Sequence, residues 1–118
     1  MNFLIVDDSR MSRLILQGLV QQHHPDWAVL HASSGEEALD IATQHHVDLV
    51  SMDFNMHGLN GLDAAIELRR RHPGLPVALM TANVQSTIQE RAKEAGLLFL
   101  AKPITAASLA QMAALVGA

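Results

Sequence analysis

The chain has 118 residues, a formal net charge of −4 and no cysteine. That length holds one hydrophobic core with no room for a second, and the missing cysteines exclude disulfides, thiolate metal sites and a cysteine nucleophile. The acidic balance, with Arg69-Arg70-Arg71 as the one dense basic run, argues against a nucleic-acid partner. No apolar run approaches the ~20 residues that span a bilayer, and Met1-Asn2-Phe3 does not open a secretory leader. We therefore expect a cytoplasmic protein that engages neither nucleic acid nor membrane.

In chain order, Phe3-Leu4-Ile5-Val6 forms a short apolar run that ends in Asp7-Asp8. Met11, Leu14, Ile15, Gly18 and Leu19 then follow the i, i+3, i+4, i+7, i+8 template and predict a helix with those residues as its buried face. Trp27 precedes a second run, Ala28-Val29-Leu30-His31-Ala32, and is expected at the edge away from the acidic residues. Ser34 followed by Glu37 reads as a capping box, opening a helix with Ala38, Leu39 and Ala42 inward. Asp48-Leu49-Val50-Ser51-Met52 runs into Asp53. Asn60 can cap a third helix carrying Leu62, Ala65 and Ile66 inward, which His72-Pro73-Gly74 stops. Val77-Ala78-Leu79-Met80 runs into Thr81. Asn83 can cap a fourth helix, with Val84, Ile88, Ala92 and Ala95 on one side and Gly96 as its stop. Leu97-Leu98-Phe99-Leu100-Ala101 runs into Lys102-Pro103, and Leu109, Met112, Ala113 and Val116 give a fifth helix its stripe.

Five strand–helix repeats in strict alternation imply an α/β domain, a doubly wound parallel sheet with helices on both faces. The short, almost wholly apolar strands agree, since parallel strands are covered on both sides. In open sheets of this type ligands bind beyond the carboxyl ends of the strands, where Asp7, Asp8, Asp53, Thr81 and Lys102 all fall. Three carboxylates facing one ammonium either raise a carboxylate pKa or recruit a cation. An all-oxygen donor set favours a hard divalent ion such as Mg²⁺. An aspartate can be the nucleophile in forming an acyl phosphate, with positioning and charge stabilisation left to its surroundings. Asp53, alone at the end of the central strand, is the candidate nucleophile. Lys102 would neutralise one phosphoryl oxygen and Thr81 would donate a hydrogen bond to another.

With those residues placed, the whole chain resembles a response-regulator receiver domain of two-component signalling systems, the CheY-like family, of the stand-alone type with no output domain over residues 1–118. Val6-Asp7-Asp8-Ser9-Arg10 resembles the family's acidic pair, Met52-Asp53 its phosphoacceptor, Thr81-Ala82 its switch hydroxyl, and Lys102-Pro103 its lysine and cis-proline. The resemblance implies a flavodoxin-like sheet of order 2-1-3-4-5, an arrangement for which this family is a standing example. It also implies Mg²⁺, with Mn²⁺ as a substitute, held directly by Asp8 and Asp53, through water by Asp7 and by the backbone carbonyl of Asn55. Phe99 takes the position of an aromatic that turns inward when Thr81 moves, and as a phenylalanine it buries no hydroxyl. Asn55 and Asn83 would influence dephosphorylation. Two departures stand out: His57 occupies a position where proline is frequent, and the turn between Gly96 and Phe99 is one residue short.

The function implied is a phosphorylation-driven switch, not an enzyme acting on other substrates. A histidine kinase or histidine phosphotransfer protein would phosphorylate Asp53, docking near Arg10, Met11 and Leu14. A downstream protein would read Gln85, Gln89, Lys93 and Phe99, with the chain a monomer or weak dimer. A Mg²⁺-dependent phosphohydrolase is the first rival, but it would want a carboxylate where Asn55 stands. A receiver-shaped binding module that needs no phosphorylation is the second, and the combination of Asp53, Thr81 and Lys102 counts against it. The histidine pairs His23-His24 and His45-His46 point apart as neighbours on a helix would, and read as surface residues. His57 borders the cleft and is a candidate for tuning acyl-phosphate lifetime with pH. Met80 and Met112 are expected in the core.

Overall fold

The structure, a computed structural model, describes residues 1–82 and 85–118. Five strands and five helices alternate: β1 (Asn2–Val6), α1 (Arg10–His23), β2 (Ala28–Ala32), α2 (Gly35–Gln44), β3 (Leu49–Asp53), α3 (Gly61–Arg71), β4 (Val77–Thr81), α4 (Ser86–Glu94), β5 (Leu98–Ala101) and α5 (Ala106–Ala114). All strand pairs are parallel and the sheet order is β2-β1-β3-β4-β5. The flavodoxin-like architecture is therefore the one expected. Winding reverses between β1 and β3, so the crevice of the sheet opens where Asp7 and Asp53 leave their strands.

Alternation along each strand builds two cores, because successive side chains point to opposite faces. Leu4, Val6, Val50, Met52 and Leu79 face α2, α3 and α4, where they meet Ala38, Leu62, Ala65, Leu68 and Ala92. Phe3, Ile5, Leu49, Ala78 and Met80 face the other way, onto Leu16 and Val20 of α1 and Leu109 and Met112 of α5. Both Met80 and Met112 fill core space as expected. Trp27 packs edge-on against Phe3, with ring centroids 5.9 Å apart, and stacks on His24 at 4.1 Å.

The helix starts are locally encoded. Ser9, Ser34, Asn60 and Thr105 each accept a backbone N–H from three residues ahead, the standard way to satisfy an orphan donor of the first turn. The expected box at Ser34 closes differently, since the Glu37 carboxylate accepts from the Ser33 amide at 3.2 Å. A reciprocal box forms instead at Thr105 and Ser108. The expected cap Asn83 and its neighbour Val84 lie outside the described residues; α4 starts at Ser86, and Gly96 ends its turn at φ 75°.

One face was misassigned. Met11, Leu14 and Ile15, expected inside, are 69%, 48% and 55% exposed, and Gly18 is exposed as well. The residues α1 buries are Leu16 and Val20, with Leu19 half-buried. Two residues correspond to roughly 200° of helix, so Leu14 and Gly18 lie across the helix from Leu16. Apolar spacing alone cannot say which of two apolar stripes meets the sheet.

Candidate functional site

The carboxyl edge gathers the expected residues by strand ends alone. Asp7 follows β1, Asp53 closes β3, Thr81 closes β4 and Lys102 follows β5. The register sets Asp53 beside Met80 and Thr81 beside Ala101, so Thr81 stands between Asp53 and Lys102 along the edge. The Lys102 amide donates to the Thr81 carbonyl at 3.0 Å, extending the ladder one residue past β5. The Lys102–Pro103 peptide is cis, as the resemblance implied.

Burial grades these groups. Asp7 and Asp53 are each 3% exposed and Thr81 is fully buried, whereas Asp8 is exposed and Lys102 is half-buried. Lys102 Nζ lies 2.8 Å from Asp53 Oδ1 and 3.4 Å from Asp7 Oδ2. The other Asp7 oxygen, Oδ1, accepts the Ser9 amide at 2.9 Å, which fixes the carboxylate in the turn between β1 and α1. Arg13, one turn into α1, donates to the Asp7 carbonyl at 2.5 Å and holds the same turn from behind.

The electrostatics follow from this crowding. Burial pushes the Asp53 carboxyl above its ordinary pKa; the Lys102 contact opposes that, and the charges of Asp7 and Asp8 add to it. Burial alone would pull the Lys102 ammonium down. Its hydrogen bonds and charge pairing with Asp53 and Asp7 together outweigh burial, so its net shift is upward. A carboxylate that is desolvated and crowded by others is stabilised by any cation that can reach it.

One oxygen from each of Asp7, Asp8 and Asp53 lies within 4.8 Å of the others, the one such group among the described residues. The buried Asp53 Oδ1 has Lys102 Nζ at 2.8 Å as its one partner among the described residues. An all-carboxylate set of three converging oxygens fits a hard divalent cation. Asn55, whose carbonyl was expected to complete the set, stands with Asp8, Phe54, Met56, His57 and Asn60 around a shallow cleft of about 550 Å³ beside these oxygens. His57 is thus beside the acidic group, on its solvent side. The other histidines do not join it: His46 pairs with Asp48 at 2.8 Å, at the opposite end of the sheet.

The surfaces expected to meet partners are accessible. Arg10, Met11 and Leu14 are exposed on α1, as are Gln85, Gln89 and Lys93 at α4, while Phe99 is half-buried in β5 against the α4-side core. Beside α1 a groove of about 420 Å³, lined by Ile5, Ile15, Leu16, Met80 and Ile104 among others, runs up to Asp7 and Lys102.

Two residues that sequence reading missed shape the surroundings of Asp53. A Cβ on Gly61 would lie 1.9 Å from the Asp53 carbonyl oxygen, and the Gly61 amide donates to Phe54 at 3.0 Å. The loop over residues 54–60 therefore returns onto the backbone of Asp53 itself. From α2, Glu36 accepts the Leu59 amide of that loop at 2.9 Å. The dipeptide Asn60-Gly61 was a turn signal that could have flagged the first. No local pattern reports the second, which joins positions 23 apart.

A single parallel sheet with acidic residues and a lysine at its carboxyl edge makes this a doubly wound α/β domain with a polar cluster at its crevice. Residues 3–114 match the response regulator receiver domain family, and the chain belongs to it. It is 35% identical over 107 residues to the cyclic di-GMP phosphodiesterase response regulator RpfG of Xanthomonas campestris, covering 88% of this chain and 28% of that protein. It is 34% identical to the transcriptional regulatory protein PdtaR of Mycobacterium tuberculosis, covering 90% of this chain and 51% of PdtaR. The chain thus spans about half or less of these relatives' length. Among solved structures, the response regulator TrrA of Thermotoga maritima, in complex with Mg²⁺–BeF, superposes with a TM-score of 0.84 at 26% identity over 96% of each chain. The CheY of a CheX–CheY–BeF₃–Mg²⁺ complex from Borrelia burgdorferi gives 0.89 at 23% identity, covering all of this chain and 90% of that one. The chain is a receiver domain of two-component signalling. No helix among the described residues is long and apolar enough to cross a membrane.

Proposed function

We propose that this receiver domain is a phosphorylation-activated switch whose acceptor is Asp53. The observation that carries the reading is the buried, lysine-paired Asp53 carboxylate with two further carboxylates within 4.8 Å. One Asp53 oxygen attacks the phosphorus of a phosphohistidine on a kinase or phosphotransfer protein. The P–N bond breaks with its electron pair remaining on the imidazole, and an acyl phosphate forms. A carboxylate already ionised needs no general base. Asp8, Asp53 and the Asn55 carbonyl would hold Mg²⁺, or Mn²⁺ in its place, with Asp7 acting through water. The ion would neutralise charge on the transferring phosphoryl oxygens. TrrA, a relative in fold and family, carries Mg²⁺–BeF, which supports this assignment.

Lys102 then pairs with a phosphoryl oxygen and Thr81 donates to another. The movement of Thr81 frees space toward which Phe99 turns, altering the α4–β5–α5 surface that includes Gln85, Gln89 and Lys93. Asn55, together with Asn83, positions the water that ends the signal. The exposed α1 residues Arg10, Met11 and Leu14, on the helix whose Ser12 and Ile15 line the apolar groove, receive the donor. The domain acts chemically only on itself, and its output is contact with another protein.

The test is incubation with Mg²⁺ and a small acyl-phosphate donor, followed by intact-protein mass measurement. Wild type should gain one phosphoryl group that hydroxylamine removes, and Asp53→Asn should gain none. An unmodified wild type, or equal labelling of Asp53→Asn, sinks the reading.

A further inference from the structure

We propose that Glu36 is a positioning residue for the loop that follows Asp53, and that its grip on the Leu59 amide sets how tightly the acidic site holds a divalent cation. The inference rests on the reading of Asp53 as acceptor and of Asn55 as a carbonyl ligand. The loop over residues 54–60 is pinned at its far end by Gly61, which sits on the Asp53 carbonyl, and by Asn60, which caps α3. Between these anchors and Asp53 lie Asn55, Met56 and His57, three residues that border the cleft beside Asp8.

Helix α2 supplies the lateral anchor. The Glu36 carboxylate accepts from Leu59 at 2.9 Å, and both its oxygens would lie within 3.4 Å of a Cβ on Gly58, which is held at φ 77°. One residue earlier, a Cβ on Gly35 would come within 3.2 Å of the Leu59 carbonyl and 2.9 Å of Ala64. The start of α2 is thus fitted against both the amide and the carbonyl side of Leu59. A carboxylate accepting a backbone N–H makes a charge-assisted bond, roughly twice as strong as a neutral one. Groups one step removed from a metal commonly decide the geometry of its ligands. Here the group sits on α2, whereas every expected ligand lies at a strand end or in a loop.

Geometry and charge can be separated with neighbouring substitutions. Glu37 occupies the same helical turn with the same charge, but its carboxylate accepts from Ser33 and not from the loop. Glu36→Gln keeps an oxygen that can accept from Leu59 while losing the charge. Mg²⁺ affinity would be measured by calorimetry for wild type, Glu36→Ala, Glu36→Gln and Glu37→Ala, alongside amide exchange at Leu59. Labelling by an acyl phosphate would be followed at saturating Mg²⁺. Glu36→Ala is expected to weaken Mg²⁺ by about 10-fold and to speed Leu59 exchange, with the labelling rate restored at saturating Mg²⁺. Glu37→Ala is expected to stay near wild type, and Glu36→Gln, which keeps a weaker neutral bond, to fall between wild type and Glu36→Ala. Unchanged Mg²⁺ affinity in Glu36→Ala overturns the inference, as does a loss in Glu36→Gln or Glu37→Ala equal to that in Glu36→Ala, which would mean charge alone. A wild type that binds no Mg²⁺ defeats the metal assignment itself, a result distinct from a wild type that binds Mg²⁺ with Glu36 indifferent.

Discussion

Gly61 places a hydrogen where any other residue would place carbon against the Asp53 carbonyl, 1.9 Å away. A clash with backbone cannot be relieved by a rotamer change, so Gly61→Ala must shift the start of α3 or the end of β3. Overpacking of this kind costs about 1–3 kcal/mol, and we expect a urea midpoint lowered accordingly together with slower labelling of Asp53. An unchanged midpoint would mean that the loop yields freely. At the other end of β3, Asp48 accepts the Asn2 amide at 2.7 Å, which with His46 holds its carboxyl below the ordinary range. A depressed folded-state pKa contributes stability that is present above the unfolded value of 3.8 and fades as pH falls through the lower folded value. Acid titration of stability should therefore be shallower below pH ~4 in Asp48→Asn than in wild type; parallel curves would remove Asp48 from the account. The residues gathered at the carboxyl edge were legible because each ends or follows an apolar run. Gly61 and Glu36 were not, since what they do depends on contacts made only after the chain has folded back.

At the scale of elements, α1 is the instructive case. Its sequence carries two apolar stripes, and the template selects the one with more members. The sheet takes the other, because Leu16 and Val20 are the pair that reaches Phe3, Ile5 and Leu109 in the α1–α5 core. Of the stripe left outside (Met11, Leu14 and Ile15), Ile15 lines the groove that reaches Asp7 and Lys102. An apolar face left open beside the acidic cluster is what a covering partner would explain. The two stripes can be told apart by substitution. Leu16→Ala should cost about 2–5 kcal/mol, whereas Ile15→Ala should change stability by less than about 0.5 kcal/mol and slow phosphotransfer from a protein donor. It should leave labelling by a small acyl phosphate intact. If Ile15→Ala slowed both donors equally, the stripe would belong to the site and not to docking. α2, α3 and α5 were legible because their apolar residues fall on one stripe, and Ala38, Leu62, Ala65, Leu109, Met112 and Ala113 are buried as that spacing predicts.

For the molecule as a whole, the fold holds a charge arrangement that works against it until a cation arrives. Two buried carboxylates and an exposed one share one ammonium, and Asp53 is pushed toward its neutral form. A ligand that binds only the folded state adds RT ln(1 + [L]/Kd), about 2.7 kcal/mol at a hundredfold excess over Kd. For a domain of this size that corresponds to a rise in Tm on the order of 10 °C. Magnesium chloride should produce this rise in wild type at pH 7, while sodium chloride of matched ionic strength should produce little, since screening acts on every exposed charge and not on one site. Asp8→Ala removes the exposed carboxylate without opening the core, so it should fold normally and lose most of the response. Removing the metal with a chelator should return wild type to its starting Tm. Equal stabilisation of wild type and Asp8→Ala would show that magnesium acts elsewhere on this acidic surface, and the carboxylates at the sheet edge would then have to be explained by their pairing with Lys102 alone.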